Sequence, residues 1–144
     1  MQRCDAGVFR LPMKDSRGLH VAWSKVLDLK AFVPAKDLDI SKRFYLDLGF
    51  HEIWGEEAAC ELELDGFRFI LQKFYVKQHA DNFMMTILVE DADAWWQNIV
   101  NLGLKDKYGL SMAKPPALQP WGLRVLYLND PTGVLWHIAD RRKS

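Results

Sequence analysis

Residues 33–50 read VPAKDLDISKRFYLDLGF, and residues 87–104 read ILVEDADAWWQNIVNLGL. The second stretch repeats the first at an offset of 54 residues without a gap, with four identities in eighteen positions. Each copy runs from an apolar strand into Asp-x-Asp, which favours a helix start, and ends at a Gly that stops the helix. We interpret the chain as internally duplicated, with one β-α unit in each copy.

The segments that follow the first helix complete a module. Asp65-Gly66 stands between two stretches of alternating apolar and polar residues, which predicts a β-hairpin. The first module therefore reads β-α-β-β-β, with a helix capped by Asp37 or Asp39 and stopped by Gly49. Its strands are expected at about residues 29–35, 50–56, 59–64 and 67–74.

The second module repeats this order. A strand at 83–89 precedes a helix capped by Asp91, and a last hairpin joins strands at 123–128 and 134–139. Between them, residues 105–120 contain three prolines, so that at most one edge strand fits there.

Strand periodicity predicts which side chains share a face. If Asp65-Gly66 is a two-residue turn, Glu63 lies opposite Arg68, Glu61 opposite Ile70 and Ala59 opposite Gln72. The other face must then turn toward the helices, and it carries Cys60, Leu62, Leu64, Phe67, Phe69 and Leu71. In the first helix Ile40, Phe44 and Leu48 recur every fourth residue and are expected on one packed side. The polar face is either a solvated sheet surface or the wall of a ligand site.

Composition narrows the function classes. The 144 residues are 49% apolar and 26% charged, as in a soluble single-domain protein. Nineteen basic and nineteen acidic side chains give no net field, so that neither nucleic acid nor an anionic membrane is an expected partner. No apolar run is long enough to cross a membrane. Cys4 and Cys60 stand apart, which predicts a reducing, cytoplasmic location without a disulfide framework.

Residues 1–27 show no sustained period and are expected to form a loosely ordered arm. Residues 28–144 then form a single domain. Its first module spans about 28–76 and its second about 82–140.

Several motifs resemble one family. The tandem modules, the helix string DLDISKRFYLDLGF, the QPWG at residues 119–122 and the late DPTGVLWHIAD are similar to the glyoxalase, bleomycin-resistance protein and extradiol dioxygenase superfamily, the vicinal oxygen chelate proteins. The resemblance implies an α+β fold of two tandem βαβββ modules with cupped mixed sheets and helices on the convex side. It further implies that two cups, from one chain or from a homodimer, enclose the site.

Enzymes of that superfamily hold a divalent metal with ligands from the first and last strands of each module. The resemblance puts the first-strand positions at Lys30 and Met84, and neither side chain ligates such an ion well. The last-strand positions fall on His137 and on Ile70, with Gln72 as the alternative. Because a catalytic metal typically needs about three protein ligands, we expect neither a metal nor another cofactor, and we name no catalytic residue.

The non-catalytic, bleomycin-resistance-like branch resembles the chain more closely. We therefore expect a metal-free protein that binds or sequesters a small, partly aromatic molecule, with apolar and stacking contacts from aromatic side chains and orientation by polar ones. The expected ligand-binding residues are Phe32, Trp54, Glu61, Arg68, Gln72, Met84, Trp121 and His137. Whether the chain catalyses any reaction is left open, although the unsuitable metal-ligand positions favour a protein that is not an enzyme.

Two other functions stay open. One is a metal-dependent lyase, isomerase or dioxygenase, in which His137 and Gln72 would be ligands. The other is an interaction module whose cup is vestigial.

Overall fold

The repeat in the sequence is a repeat of structure. The computed structural model describes residues 13–14, 16–18, 20–21 and 24–142. In chain order the elements are β1 (Met13–Lys14), β2 (His20–Val21), β3 (Phe32–Ala35), α1 (Leu38–Asp47), β4 (His51–Gly55), β5 (Ala59–Leu64), β6 (Phe67–Lys73), α2 (Lys77–Asn82), β7 (Met84–Leu88), α3 (Ala92–Asn101), α4 (Leu104–Tyr108), β8 (Ala113–Leu118), β9 (Arg124–Asn129) and β10 (Leu135–Asp140).

The two modules build sheets of the same topology. Sheet one has the order β3-β6-β5-β4, and sheet two has the order β7-β10-β9-β8. In each sheet the strand before the helix pairs in parallel with the last strand, and the remaining pairs are antiparallel. The predicted α+β fold of two tandem βαβββ modules with mixed sheets is confirmed.

The Asp-x-Asp motif starts both long helices as predicted. The Asp37 carboxylate accepts a hydrogen bond from the Ile40 amide of α1, and the Asp91 carboxylate accepts one from the Ala94 amide of α3, each at 3.0 Å. These bonds satisfy amides that have no partner within the helix. At the other end, Gly103 has φ of +61°, a backbone conformation in which a Cβ is costly, and this glycine ends α3.

The hairpin around Asp65-Gly66 has the predicted register. Glu63 pairs with Arg68, Glu61 with Ile70 and Ala59 with Gln72. The opposite face of β5 and β6 packs toward α1, where Cys60, Leu62, Phe69 and Leu71 are buried. Phe67 departs from the prediction: it is the first residue of β6, next to the turn, and is 77% exposed.

The buried stripe of α1 also differs from the prediction. Ile40 is exposed, whereas Leu38, Ser41, Phe44 and Tyr45 are buried. The stripe is wider than one side of the helix because α1 packs on its own sheet and also contacts the second module. The hydroxyls of Ser41 and Thr132 lie 3.1 Å apart, for example.

An aromatic cluster joins the modules in one core. The ring of Tyr45 packs against Phe44, Phe50, Phe69 and Trp136, with centroid separations of 5.0–5.8 Å. Trp136 comes from β10 of the second module, so that the two modules share a core on the helix side of both sheets. Each sheet therefore keeps one face, which we call its open face, turned away from its helix.

The segment between α3 and the last hairpin holds one edge strand, as predicted, and one helix, α4, that the sequence did not predict. Pro115 and Pro116 lie in β8, the outer strand of sheet two, and the pairing with β9 shifts register between Lys114 and Ala117. The short helices α2 and α4 were both missed.

Most of the predicted arm, residues 1–27, lies outside the described residues, and so does Cys4. Within the described part, β1 and β2 form a two-residue antiparallel ladder. Cys60 is buried in the core as a free thiol. Among the described residues, no helix is both long and apolar enough to span a membrane.

Candidate functional site

The open face of sheet one brings five of the predicted site residues together. Phe32, Ile70, Glu61 and Trp54 form a single row across the four strands, because each pairs with the next in register. Arg68 lies one row to one side of Ile70 on β6, and Gln72 lies one row to the other side. Since paired strand residues point to the same face, these side chains share one surface.

Aromatic side chains on this row are open to solvent. Phe32 is 57% exposed and Trp54 is 40% exposed, although both belong to strands of a well-packed sheet. Between them, Glu61 is only 2% exposed. The row therefore places two flat apolar surfaces around a buried carboxylate, which is a combination of contact area and polarity suited to a small ligand.

The carboxylate of Glu61 is neutralised by two cations of the same chain. The Lys30 ammonium contacts Oε1 of Glu61, and Nη1 of Arg68 lies 3.5 Å from Oε2. Arg68 makes its shorter contact, 2.7 Å, with Glu63, whose other oxygen lies 3.4 Å from Nε2 of His51. A buried carboxylate needs such pairing because desolvation otherwise disfavours its charge.

Lys30 is held from its other side by Asp28 at 2.8 Å. The neighbouring carboxylates of Asp28 and then Glu61 raise the pKa of Lys30 above its ordinary value. Lys30 therefore stays charged throughout the physiological range. The sequence pattern predicts Lys30 on a first strand beginning at Leu29, but β3 begins at Phe32 and Lys30 precedes it. The pairing of Lys30 with Glu61 joins residues far apart in the chain, and no local pattern predicts it.

The open face of sheet two has an equivalent row. Thr86, which follows Phe32 by 54 residues, pairs with His137, His137 with Tyr127, and Tyr127 with Lys114. The rings of Tyr127 and His137 meet edge to face with centroids 4.8 Å apart. Nε2 of His137 is buried and has no hydrogen-bond partner among the described residues. The duplication thus gives two rows of the same topology and different chemistry.

The other two predicted residues of module two lie outside this row. Met84 is one row away from His137, opposite Leu135, and is 63% exposed. Trp121 is 59% exposed in the turn between β8 and β9, where the Gly122 amide donates to the Gln119 carbonyl. Trp121 lies outside the strands and therefore does not belong to either row.

A half-open cavity of about 350 Å³ lies where the two modules meet. Phe50 and Phe69 of module one and Trp136 and Ile87 of module two line it, and Arg68 borders it. Its walls come from both modules, and no local sequence pattern predicts how the modules dock.

The residues at the positions where the resemblance implies metal ligands do not fit a resident divalent ion. Lys30 presents an ammonium there, which repels a cation, and Met84 presents a thioether, which prefers soft metals. Within the described ranges, no three side chains of His, Cys, Asp or Glu come together as a group that could hold a metal ion. His137 is left as a single good donor.

Comparison with known protein families gives a match over most of the chain. The profile of the Glyoxalase/Bleomycin resistance protein/Dioxygenase superfamily matches residues 20–138. The chain belongs to this superfamily. Comparison with curated proteins found no match.

Solved structures of this superfamily have the same fold. A bleomycin-binding protein complexed with bleomycin is similar with a TM-score of 0.69 and 20% identity, over 81% of this chain and 100% of that one. The bleomycin-binding protein from Streptomyces verticillus, complexed with copper(II)-bleomycin, has a TM-score of 0.69 and 24% identity, over 82% and 98% of the two chains.

An enzyme of the superfamily is similar as well. The lactoylglutathione lyase from Agrobacterium tumefaciens has a TM-score of 0.60 and 15% identity, over 81% of this chain and 94% of that one. At these identities the likeness establishes the fold alone. Binding proteins and enzymes of the superfamily share it.

Proposed function

We propose that the protein is a metal-free binding or sequestering protein for a small, partly aromatic molecule. The observation that carries this proposal is the row on the open face of sheet one, where the exposed rings of Phe32 and Trp54 lie on either side of the buried Glu61. The similarity to bleomycin-binding proteins supports the same class of function.

We also propose that two copies of the chain close the site. Both open faces carry large apolar side chains that are exposed to solvent in the single chain. Among them are Phe32, Met84 and Leu88, which are 50–63% exposed. Monomeric proteins rarely leave contiguous apolar surface uncovered, so that a second copy or a ligand is expected there. A homodimer would set one open face against another.

The competing hypothesis is a metal-dependent lyase, isomerase or dioxygenase. The observation that favours it is the buried, unpartnered Nε2 of His137. Gln72 and His137 lie on the last strands of the two modules, where the resemblance implies ligands, but the first-strand positions hold Lys30 and Met84, which are poor ligands for a divalent ion. We therefore rank it second. An interaction module with a vestigial cup ranks third, and the predicted absence of a nucleic-acid partner and the cytoplasmic location remain predictions.

The test of the proposed function is equilibrium binding of a panel of planar compounds to the purified protein. We expect at least one to bind with micromolar affinity and to be weakened about tenfold or more by Trp54→Ala, because a stacked ring and its contact area are lost. Val100→Ala is the matched control, since Val100 is 53% exposed on α3, outside the open faces. If no planar compound binds, the vestigial-cup hypothesis is favoured.

A further inference from the structure

We propose that Lys30 determines the ligand specificity of the open face of sheet one. Its ammonium occupies the place where a ligand's cation would meet Glu61, so that the face selects uncharged planar molecules over cationic ones. This inference rests on the proposed function and names the ligand class of the same site.

The position of Glu61 is the first observation. This carboxylate is 2% exposed in the middle of the row, between two aromatic side chains that a ligand could contact. A carboxylate in that setting attracts a positive charge strongly, because the surroundings screen the attraction much less than water does. Without a counter-charge from the protein, the row would select a cationic ligand.

Lys30 supplies that counter-charge. Its Nζ contacts Glu61, and its side chain is 23% exposed, so that Lys30 lies between the buried carboxylate and solvent. Arg68 is the weaker partner of Glu61, because its contact is 3.5 Å long and its shorter contact, of 2.7 Å, goes to Glu63. The neutralisation of Glu61 therefore depends chiefly on Lys30.

The charges closest to Glu61 balance. Lys30 and Arg68 stand against Glu61 and Glu63, two cations against two carboxylates. Asp28, which contacts Lys30 at 2.8 Å and is 55% exposed, adds one further carboxylate at the solvent side of this network. With Glu61 and Glu63 balanced by Lys30 and Arg68, apolar contact with Phe32 and Trp54 decides what binds.

The experiment uses three anthracene probes of similar size: aminomethylanthracene as the cation, anthracenemethanol as the neutral molecule and anthracenecarboxylate as the anion. Their affinities for the full chain are measured by fluorescence anisotropy in wild type, in Lys30→Met, in Glu61→Gln and in the double variant. Lys105→Met is the control, since it removes the same charge from an exposed position on α4.

We expect wild type to bind the neutral probe more tightly than either charged probe. In Lys30→Met the cationic probe gains affinity by at least about tenfold. This factor is the lower end of the coupling measured for close charge pairs at interfaces. This gain vanishes when Glu61→Gln is added. Glu61→Gln alone leaves Lys30 and Arg68 with one carboxylate fewer, so that the anionic probe gains instead. Lys105→Met changes no affinity by more than about twofold.

Glu61→Gln also keeps the inference testable if Lys30→Met does not fold. The inference is overturned if the neutral probe binds wild type while neither single variant changes the preference between charged probes. It is also overturned if the gain in Lys30→Met persists in the double variant. If none of the probes binds wild type or any variant, the proposed function fails, and the inference fails with it.

Discussion

The hydroxyl of Tyr45 on α1 donates a 2.6 Å hydrogen bond to Oδ2 of Asp130, which belongs to the other module. The same hydroxyl accepts a 2.9 Å hydrogen bond from Nε1 of Trp136. Tyr45 and Asp130 are both buried, so that this chain of bonds fixes how the two modules dock.

Removing the hydroxyl should therefore destabilise the whole protein. Tyr45→Phe leaves Asp130 and Trp136 each short of a buried partner, and we expect the free energy of unfolding to fall by about 2 kcal/mol. Urea unfolding followed by Trp fluorescence measures the change. Tyr75→Phe, at a ring that is 37% exposed, is the control and should cost less than about 0.5 kcal/mol. Equal effects of the two variants would contradict the proposed role of this bond.

Asp130 should make the stability fall as pH rises. Burial raises the pKa of its carboxyl from 3.8 to about 6, against the lowering effect of hydrogen bonds from Tyr45 and from three backbone amides. Between these two values the folded protein binds a proton that the unfolded chain has released. The contribution of Asp130 is therefore present below about pH 4 and is lost as pH rises through about 6, by up to about 3 kcal/mol.

The difference between wild type and Asp130→Asn isolates this effect, because other groups titrate equally in both. The free energy of unfolding is measured at intervals between pH 4 and pH 7. Wild type should lose stability relative to Asp130→Asn as pH increases. A difference that is constant with pH, or one that changes in the opposite direction, would falsify the prediction.

The two helix caps should contribute equally to the stability of the protein. Asp37→Ala and Asp91→Ala each remove the side-chain acceptor of a helix start, and each should cost about 1 kcal/mol of stability. Because the caps lie in different modules, the costs should add in the double variant. Asp91 also meets Arg142 at 2.7 Å, but this exposed pair adds little. A cost above about 3 kcal/mol for either single variant would show that the aspartate does more than cap.

Metal analysis of protein purified without chelator should find far less than one divalent ion per chain. The physical reason is the donor set, in which Lys30 and Met84 stand where ligands would be needed. The comparison is with His137→Ala, which should contain the same trace amount. Stoichiometric metal in wild type that disappears in His137→Ala would support the enzymatic hypothesis instead.

Light scattering should give a mass twice that of one chain. Met84→Glu places a charge on the open face of sheet two and should shift the mass toward one chain, because a desolvated unpaired charge is costly. Val100→Glu, which adds the same charge outside the open faces, should leave the dimer intact. A wild-type mass of one chain at high concentration would remove the dimer from the proposal.

Local sequence signals predicted the features that neighbouring residues determine. Asp65-Gly66 set the hairpin register because a two-residue turn leaves one pairing, and the Asp-x-Asp repeat marked both helix starts. Ile40 was assigned wrongly because periodicity shows that a helix has an apolar side but not that a second module also packs on it. Ser41 and Tyr45 contact Thr132 and Asp130 of that module.

The candidate site was predictable in part for the same reason. Period two placed Glu61, Arg68 and Gln72 on one face, and the register confirms this placement. The pairing of Lys30 with Glu61 and the cavity beside Trp136 depend on residues far apart in the chain, which a single sequence does not reveal. The ligand-binding role of the predicted site residues stays a prediction until binding is measured.

The two prolines of β8 have a consequence for behaviour in concentrated solution. Pro115 and Pro116 carry no amide hydrogen, and they interrupt the outermost strand of sheet two at its register shift. An intact strand at that border would offer a continuous template for another chain to extend the sheet. The interrupted strand blocks such growth, so that fibril seeding from this border is suppressed.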